Sequence, residues 1–407
     1  MKKLPLGIQT FSKMIEGDYL YIDKTQQIHN LITTGGQYYF MARPRRFGKS
    51  LLISTLQELF SGNRPLFKGL WIEDKIDWHT FPVVHIDFTG LEYDTPDTLQ
   101  HSLKHKLQKI ARSYDIQLPD SGYKTMFGQL IESLATTTGK QTVILIDEYD
   151  KPIIDHIDDK QTAAANHNIL GNFYSIIKSV DRHIRFVLIT GVSKFSRVSI
   201  FSGLNNLNDI TIDDRFSTLM GYTHQELLDY FPTHLQQLHQ KLAMPQPELL
   251  ATIKRWYNGY SWDGAHFLYN PFSILNLFNK LRFGNYWFAS GTPTFLIDLI
   301  KTKRKNIADI ETQTVDESLF ESFDIDHIEV LSLLFQTGYL TIKKVESLNV
   351  KSLYTLSYPN QEVKESLLKH LLSTYTPDEP ATIGSLVLYN NTNQKITNPE
   401  SNPIPKI

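Results

Sequence analysis

The feature that most constrains this chain is a short apolar strand that leads through a glycine-lysine-serine turn into an amphipathic helix. Residues 37–42 (QYYFMA) have the composition of a buried strand, and apolar residues recur at helical spacing from Ser50 onward. Backbone N–H groups at such a helix N-terminus attract phosphate. Lys49 is then expected to bridge the β- and γ-phosphates of a nucleotide, and the Ser50 hydroxyl to ligate Mg²⁺. The alternative is an ordinary helix start beside a basic surface cluster.

The loop departs from the usual phosphate-binding pattern at one position. In GxxxxGK[ST] the first glycine would stand at position 43, where this chain has Arg43. Three arginines add positive charge to the loop and reduce its backbone freedom. The predicted nucleotide-binding residues are Arg43, Pro44, Arg45, Arg46, Phe47, Gly48, Lys49, Ser50 and Leu51.

A second apolar run ends in paired acids. Residues 142–146 (TVILI) read as a strand buried on both faces, as in a parallel sheet, and Asp147 and Glu148 follow at its C-terminal end. Asp147 is expected to hold Mg²⁺ through a water, and Glu148 to polarise an attacking water. The alternative, a buried strand followed by a solvated acidic turn, is disfavoured by the glycine-lysine-serine turn about 100 residues upstream.

A third apolar strand, residues 185–189, ends near Thr190 and Ser193. Either hydroxyl could sense the γ-phosphate or the attacking water, and a simple strand-end turn is the alternative. Turnover would be slow unless an arginine completes the site. The candidates are Arg197 and Arg215, and a structural surface role fits either of them equally well.

Composition limits the class of protein. The 407 residues suggest two or three domains, and 41 basic against 43 acidic residues give no global charge that calls for nucleic acid or an anionic membrane. The absence of cysteine excludes a thiol nucleophile and cysteine-based metal sites. No apolar run approaches the roughly 18 residues of a membrane span, and the first residues lack the apolar region of a secretory signal. We expect a cytoplasmic protein with no membrane partner.

Eight short motifs occur in order along roughly residues 4–360, and as a set they resemble the bacterial AAA-ATPase-like family. They are residues 21–25 (YIDKT), 43–50 (RPRRFGKS), 145–150 (LIDEYD), 190–196 (TGVSKFS), 201–206 (FSGLNN), 256–260 (WYNGY), 269–273 (YNPFS) and 286–293 (YWFASGTP). The family consists of STAND-like P-loop proteins, and an arginine in place of the first glycine is typical of it. The resemblance implies a nucleotide-dependent switch or ATPase.

The expected fold is α/β, with a parallel P-loop NTPase sheet in which a strand is inserted between the Walker A and Walker B strands. Residues 1–221 would form the NTPase core, 222–300 a helical lid, 301–375 a winged-helix-like unit and 376–407 a disordered tail. The family commonly carries a C-terminal PD-(D/E)xK nuclease-like domain. The residues after Tyr358 offer no strand with a Glu-x-Lys pair, so no nuclease activity is expected of this chain.

Three further segments carry weaker signals. Tyr19, Tyr21 and residues 23–25 either shape an adenine or ribose pocket or cap the core. The dense aromatic cluster of residues 256–288 is interpreted as core rather than as a base-stacking platform. The basic run at residues 301–305 is interpreted as a solvated segment rather than a DNA contact.

The leading interpretation is an ATP-binding P-loop NTPase that acts as a switch and hydrolyses ATP slowly with Mg²⁺. The alternative is a non-hydrolysing nucleotide-bound scaffold or nucleic-acid-binding module, and a small-acceptor kinase fits less well. The pair Asp147-Glu148 favours hydrolysis, because a scaffold need not keep a base there. Candidate partners besides ATP are a nucleic acid, another protein and a second copy of the chain.

Overall fold

A computed structural model describes residues 2–194, 204, 206–287, 313–320, 329–348 and 351–375. Three expectations lie outside these residues: the role of Arg197, the basic run at 301–305 and the disordered tail at 376–407. Among the residues described, no helix is long and apolar enough to cross a membrane.

The described elements alternate between strands and helices over the first half of the chain and are mostly helical afterwards. The helices are α1 Phe11–Glu16, α2 Thr25–Thr33, α3 Lys49–Phe60, α4 Pro96–Arg112, α5 Tyr123–Thr138, α6 Lys151–Ile154, α7 Lys160–Ser179, α8 His224–Tyr230, α9 Pro232–Leu242, α10 Gln246–Tyr257, α11 Pro271–Lys280, α12 Val330–Gln336 and α13 Gln361–Tyr375. The strands are β1 Tyr38–Ala42, β2 Val83–Asp87, β3 Thr142–Asp147, β4 Ile184–Gly191, β5 Asn208–Asp209, β6 Asn258–Tyr260, β7 Leu268–Tyr269, β8 Thr314–Asp316, β9 Thr341–Leu348 and β10 Lys351–Ser357.

The central sheet has five strands in the order β2-β3-β4-β1-β5, and every pairing is parallel. Strand β4 lies between β1 and β3, with Ala42 opposite Gly191 and Ile146 opposite Ile189. The predicted α/β fold, with a strand inserted between the two motif strands, is therefore confirmed. Since parallel strands end at the same edge, the turns that follow β1 and β3 meet there.

Helices cover the sheet because its motif strands β1 and β3 have no polar face. Every residue of β1 and β3 is buried, as expected for a parallel sheet packed on both sides. Helix α3 packs against β2, β3 and β4, and α5 packs against β3 and α7. Helix α3 therefore runs directly away from the edge at which β1 and β3 end.

Helices α8 to α11 belong to the segment expected to form a lid and are called the lid helices below. They enclose a second apolar core, which includes Leu227, Phe231, Ile253 and Phe278. Helix α8 begins with a capping box: the Thr223 hydroxyl accepts from the Glu226 N–H at 3.1 Å, and the Glu226 carboxylate accepts from the Thr223 N–H at 2.7 Å. A short hairpin, β6-β7, connects α10 to α11.

The segment expected to form a winged-helix-like unit contains helix α12, the β9-β10 hairpin and helix α13. Strand β10 pairs antiparallel with β9 on one side and with β8 on the other. Leu334, Ile342 and Leu356 belong to the same continuous core as the parallel sheet. This unit therefore packs onto the NTPase core, and the domain boundaries at 221, 300 and 375 stay a prediction.

Gly259 marks the closest approach of the lid hairpin to the segment before α13. Its φ is +121°, and a Cβ built on it would stand 1.9 Å from the Pro359 carbonyl oxygen. Gly259→Ala is expected to lower the free energy of unfolding by about 3 kcal/mol or more. Residues with a side chain rarely adopt this backbone conformation, and the Pro359 carbonyl oxygen leaves no room for a Cβ.

Urea unfolding followed by circular dichroism measures this loss. Gly122→Ala is the matched control, since a Cβ there meets nothing within 4 Å and the φ of −63° suits any residue. Equal stabilities of the two variants would contradict the tight packing at Gly259.

Candidate functional site

The turns after β1 and β3 border one cavity of about 490 Å³. The loop side of this cavity is formed by Arg45, Arg46, Gly48, Lys49 and Ser50, and Glu148 forms part of the opposite side. The two motifs that the sequence places about 100 residues apart thus face each other. The cavity also reaches Leu51 and the N-terminal residues 5–9.

The loop between β1 and α3 has a backbone shape that most residues avoid. Gly48 has a φ of +102° and Arg46 a φ of +62°. A Cβ on Gly48 would meet no atom within 4 Å, so the glycine is needed for its backbone angle rather than for space. The Lys49 ammonium folds back over the loop and donates to the carbonyl oxygens of Arg43 at 3.0 Å and Pro44 at 3.1 Å.

Lys49 is a buried cation surrounded by carboxylates. Only 4% of the residue is exposed, and this burial lowers the pKa of its ammonium. Glu148, Asp147 and Asp150 oppose that shift, because nearby negative charge favours the protonated amine. The loop lysine and the acids of β3 therefore form one electrostatic cluster.

The end of β4 fixes Asp147. The Thr190 hydroxyl donates to Asp147 Oδ1 at 2.6 Å, and Asp147 is only 2% exposed. The structure thus brings Thr190 to the carboxylate predicted to hold Mg²⁺, while neither side chain borders the cavity itself. Thr190 therefore contacts Asp147 and not the cavity, whereas the sequence-based expectation is a direct contact with phosphate or water.

Glu148 turns from the strand into the cavity. Its φ of +51° is unusual for a residue with a side chain, and such strained angles are common at functional sites. Burial raises the pKa of its carboxyl, as do the negative charges of Asp147 and Asp150, while Lys49 lowers it. Glu148 is therefore a stronger base than an exposed glutamate.

Asp150 ties the ends of β3 and β4 together. Its Oδ2 accepts from the N–H groups of Val192 at 3.0 Å and Ser193 at 2.7 Å, and from the Ser193 hydroxyl at 2.7 Å. Ser193, the alternative to Thr190 as a phosphate sensor, is therefore engaged in this structural contact. Lys151 pairs with Asp155 at 2.7 Å rather than with Asp150.

Three of the predicted nucleotide-binding side chains point away from the cavity. The Arg43 guanidinium lies 4.0 Å from the Trp262 ring centroid and donates to the carbonyl of Thr211 at 2.7 Å. Phe47 is fully buried against Tyr260 and Trp262, and Pro44 packs on Gly338. These residues anchor the loop to the lid and to the C-terminal unit. Phe47 also borders the small apolar pocket that adjoins Gly48, whereas any contact of Arg43 and Pro44 with nucleotide is left to their backbone atoms.

The N-terminal motif joins the lid to the core. Lys24 forms a buried ion pair with Glu226 at 2.6 Å, and Asp23 accepts from the Trp71 N–H at 2.7 Å. Tyr21 and Lys24 also border a small apolar pocket that adjoins Gly48. The cap and pocket interpretations of this segment are therefore compatible.

Of the two arginine candidates, the structure describes only Arg215. Arg215 is exposed and pairs with Asp213, two residues earlier, with its Nε 2.9 Å from Asp213 Oδ1. Arg197 is among the residues that the structure does not describe. The role of either arginine in turnover stays a prediction.

Comparisons with known proteins agree with this geometry. A family model described as a predicted AAA-ATPase matches residues 5–201, the part of the chain that carries the loop and the acids. An uncharacterized protein encoded in the vnfD 5′ region of Azotobacter chroococcum mcd 1 is 44% identical over 384 residues, which is 94% of this chain and 72% of that protein. The chain belongs to the AAA-ATPase-like family.

A solved structure is also similar to this AAA-ATPase-like protein. The ORC2 protein of Aeropyrum pernix, solved in ADPNP and ADP complexes, aligns over 86% of this chain and 93% of its own length. The identity is 9% and the TM-score 0.29, so this likeness carries no argument about ligands or assembly.

Two residues of the AAA-ATPase-like site escape sequence reasoning. The Trp287 indole N–H donates to the Arg45 carbonyl at 3.0 Å, and the Trp287 backbone N–H donates to Glu362 at 2.7 Å. Glu362 also accepts from the Ser273 hydroxyl at 2.7 Å. Trp287 lies 242 positions from Arg45 and 75 positions from Glu362 along the chain, and no local pattern predicts contacts over such separations.

Glu362 should make the stability of this AAA-ATPase-like protein pH-dependent. Burial raises the pKa of its carboxyl from 4.5 to about 7 in the folded protein. Its contribution to stability is complete below pH 4.5 and is lost as the pH rises through 7. We expect the free energy of unfolding to fall by roughly 3 kcal/mol across this window on account of Glu362.

Denaturant unfolding at a series of pH values tests this contribution. Glu362→Gln should flatten the profile between pH 4.5 and 7, because the amide does not titrate. Glu365→Gln, on the same helix and partly exposed, should keep the wild-type slope. Identical profiles for wild type and Glu362→Gln would refute the assignment.

Proposed function

We propose that the chain binds ATP at the cavity between the β1 and β3 turns and hydrolyses it slowly with Mg²⁺, acting as a nucleotide-dependent switch. The observation that supports this most directly is that Lys49 and Glu148 face one cavity across the C-terminal edge of a parallel sheet. A cation for phosphate oxygens and a raised-pKa carboxyl for water then stand on opposite sides of one space.

The residues present fit a phosphate chain and a divalent cation. The loop supplies a left-handed glycine at the N-terminus of α3, where backbone N–H groups attract anions. Ser50 borders the cavity and would ligate Mg²⁺ directly, while Asp147, which does not border it, would hold the ion through a water. Bound Mg²⁺ would neutralise charge on the phosphate oxygens.

Glu148 would orient and deprotonate the attacking water. Its burial and the neighbouring acids raise its pKa, which strengthens it as a base. Thr190 would act by holding the Asp147 carboxylate in place through the 2.6 Å hydrogen bond. The pair Asp147-Glu148 is what distinguishes this proposal from a non-hydrolysing scaffold.

The apolar pocket beside Gly48 would take the base of the nucleotide. Its border includes Tyr21, Leu52, Met220 and Tyr222, which offer flat and apolar contact area. The pocket and the larger cavity share Gly48 and Leu51, so a base and its phosphates could occupy the two at once.

Switching would require a further input. Arg197 of the same chain or Arg215 of a second copy would complete the site, which would make turnover dependent on a partner or on homo-oligomer formation. Nucleic acid and another protein are the remaining candidate partners, and the expected compartment is the cytoplasm.

The proposal is tested with the purified full chain. Calorimetric titration with Mg-ATP and Mg-ADP should show binding, and phosphate release should show slow turnover. Repeating both assays with DNA, and sedimentation with and without nucleotide, would identify a partner or an oligomer. Binding without any turnover would favour the scaffold alternative, and absence of binding would overturn the proposal.

A further inference from the structure

The Trp287 indole forms a hydrogen bond to the phosphate loop, the loop between β1 and α3. The Trp287 side chain is 6% exposed, and its N–H donates to the carbonyl oxygen of Arg45 at 3.0 Å. Arg45 and Arg46 are joined by a trans peptide bond, because no described peptide bond is cis. In a trans peptide the N–H of the second residue points opposite to the carbonyl of the first. The indole therefore fixes the direction of the Arg46 N–H as well.

This peptide is conformationally demanding. Arg46 has a φ of +62°, and residues with side chains adopt that region only when their surroundings impose it. The Arg46 guanidinium lies 4.0 Å from the Phe272 ring centroid, which holds the side chain against α11. The indole hydrogen bond and this ring contact together impose the strained angle on a residue that borders the cavity.

Trp287 is itself held by a buried acid of the last described helix. Glu362 is fully buried and accepts from the Trp287 backbone N–H at 2.7 Å and from the Ser273 hydroxyl at 2.7 Å. The Trp287 ring also packs edge-on against Tyr339, with centroids 5.2 Å apart. One carboxyl of α13 thus connects α11 and Trp287, and Trp287 connects to the loop.

We propose that Trp287 and Glu362 are positioning residues for nucleotide binding: Glu362 seats Trp287, and the Trp287 indole orients the Arg45–Arg46 peptide so that the Arg46 N–H faces the phosphates. This inference rests on the proposed function. It also connects the C-terminal unit to the phosphate loop, since Glu362 belongs to α13 and contacts Trp287, which contacts Arg45.

Glu362 can be replaced conservatively by glutamine or disruptively by alanine. In Glu362→Gln the amide oxygen accepts from the Trp287 N–H, and the amide nitrogen donates to Ser273 Oγ, which can accept. Both contacts survive without the charge. Glu362→Ala removes both and leaves two buried donors without partners.

The experiment compares Mg-ATP affinity, KM and kcat of the full chain with its thermal stability. Trp287→Phe keeps a ring but removes the indole N–H, and should weaken Mg-ATP binding about 3- to 10-fold, the scale of one neutral hydrogen bond. KM should rise while kcat changes little, because the contact serves ground state and transition state equally. Trp256→Phe, the same change on a partly buried lid residue, should leave affinity unaltered.

The Glu362 variants separate positioning from mere folding. Glu362→Ala should weaken binding as much as Trp287→Phe, Glu362→Gln should restore wild-type affinity, and the double variant Trp287→Phe/Glu362→Ala should be no worse than the weaker-binding single variant. Wild-type affinity in folded Trp287→Phe would overturn the inference. So would a Glu362→Ala protein that loses thermal stability but not affinity.

Failure of this inference is distinguishable from failure of the proposed function. If wild type binds Mg-ATP, Lys49→Ala does not and Trp287→Phe binds as wild type, only the positioning roles are wrong. If wild type itself binds no Mg-ATP, the proposed function is wrong and the positioning roles fall with it.

Discussion

Replacing Lys49 by alanine should abolish measurable Mg-ATP binding, with an expected loss in affinity of at least about 100-fold. Hydrogen bonds to charged groups contribute about 1.5–3 kcal/mol each, and a lysine that bridges two phosphates makes more than one of them. In the structure the ammonium already spans the loop, 3.0 Å from the Arg43 carbonyl and 3.1 Å from that of Pro44. It therefore needs only a short movement to reach phosphate oxygens bound in the cavity.

Calorimetric titration measures the loss, and circular dichroism shows whether the variant is folded. Lys104→Ala is the control, because this partly exposed lysine pairs with Asp120 at 2.8 Å on a helix away from the cavity. The control should bind Mg-ATP as wild type does. Unchanged affinity in a folded Lys49→Ala protein would mean that the loop is not the nucleotide site.

Glu148→Gln should leave Mg-ATP binding within about 3-fold of wild type and slow hydrolysis by roughly 10²-fold, the scale expected for a lost general base. The amide keeps the size and hydrogen-bonding shape of the carboxyl but takes up no proton near neutral pH. Since glutamine has a side chain of the same length as glutamate, the backbone at position 148, with its φ of +51°, should tolerate the change.

Phosphate release under saturating Mg-ATP gives kcat, and titration gives the affinity of the same protein. Glu132→Gln, an exposed glutamate of α5, is the control and should retain wild-type kcat. A parallel loss of affinity and turnover in Glu148→Gln would indicate that Glu148 binds the ligand rather than activating water. An unchanged kcat would remove it from the chemistry.

Local patterns were sufficient to predict the part of the fold that bears the site. The apolar runs at 37–42, 142–146 and 185–189 appear as β1, β3 and β4, and parallel pairing brings their ends together. Such strands are recognisable because both of their faces are buried, which forces a continuous apolar run.

Long-range contacts explain what the sequence did not reveal. Arg43 and Phe47 stand in a run of basic residues and look like parts of an exposed loop, yet both pack against Trp262 from the lid. Strand β5 has only two residues, Asn208 and Asp209, too short for any period to show. The positions of Arg43, Phe47 and β5 depend on contacts with residues far away in the chain. A short stretch of sequence does not show such contacts.

The burial of Phe47 has a consequence for the thermodynamics of ligand binding. Because this side chain is fully buried and packs against Tyr260 and Trp262, the loop is ordered as part of the fold itself. A ligand that meets such a loop loses little affinity to ordering entropy and buries little additional apolar loop surface. The loop's contribution to the heat-capacity change of binding should therefore be close to zero, and temperature should alter its part of the affinity only weakly.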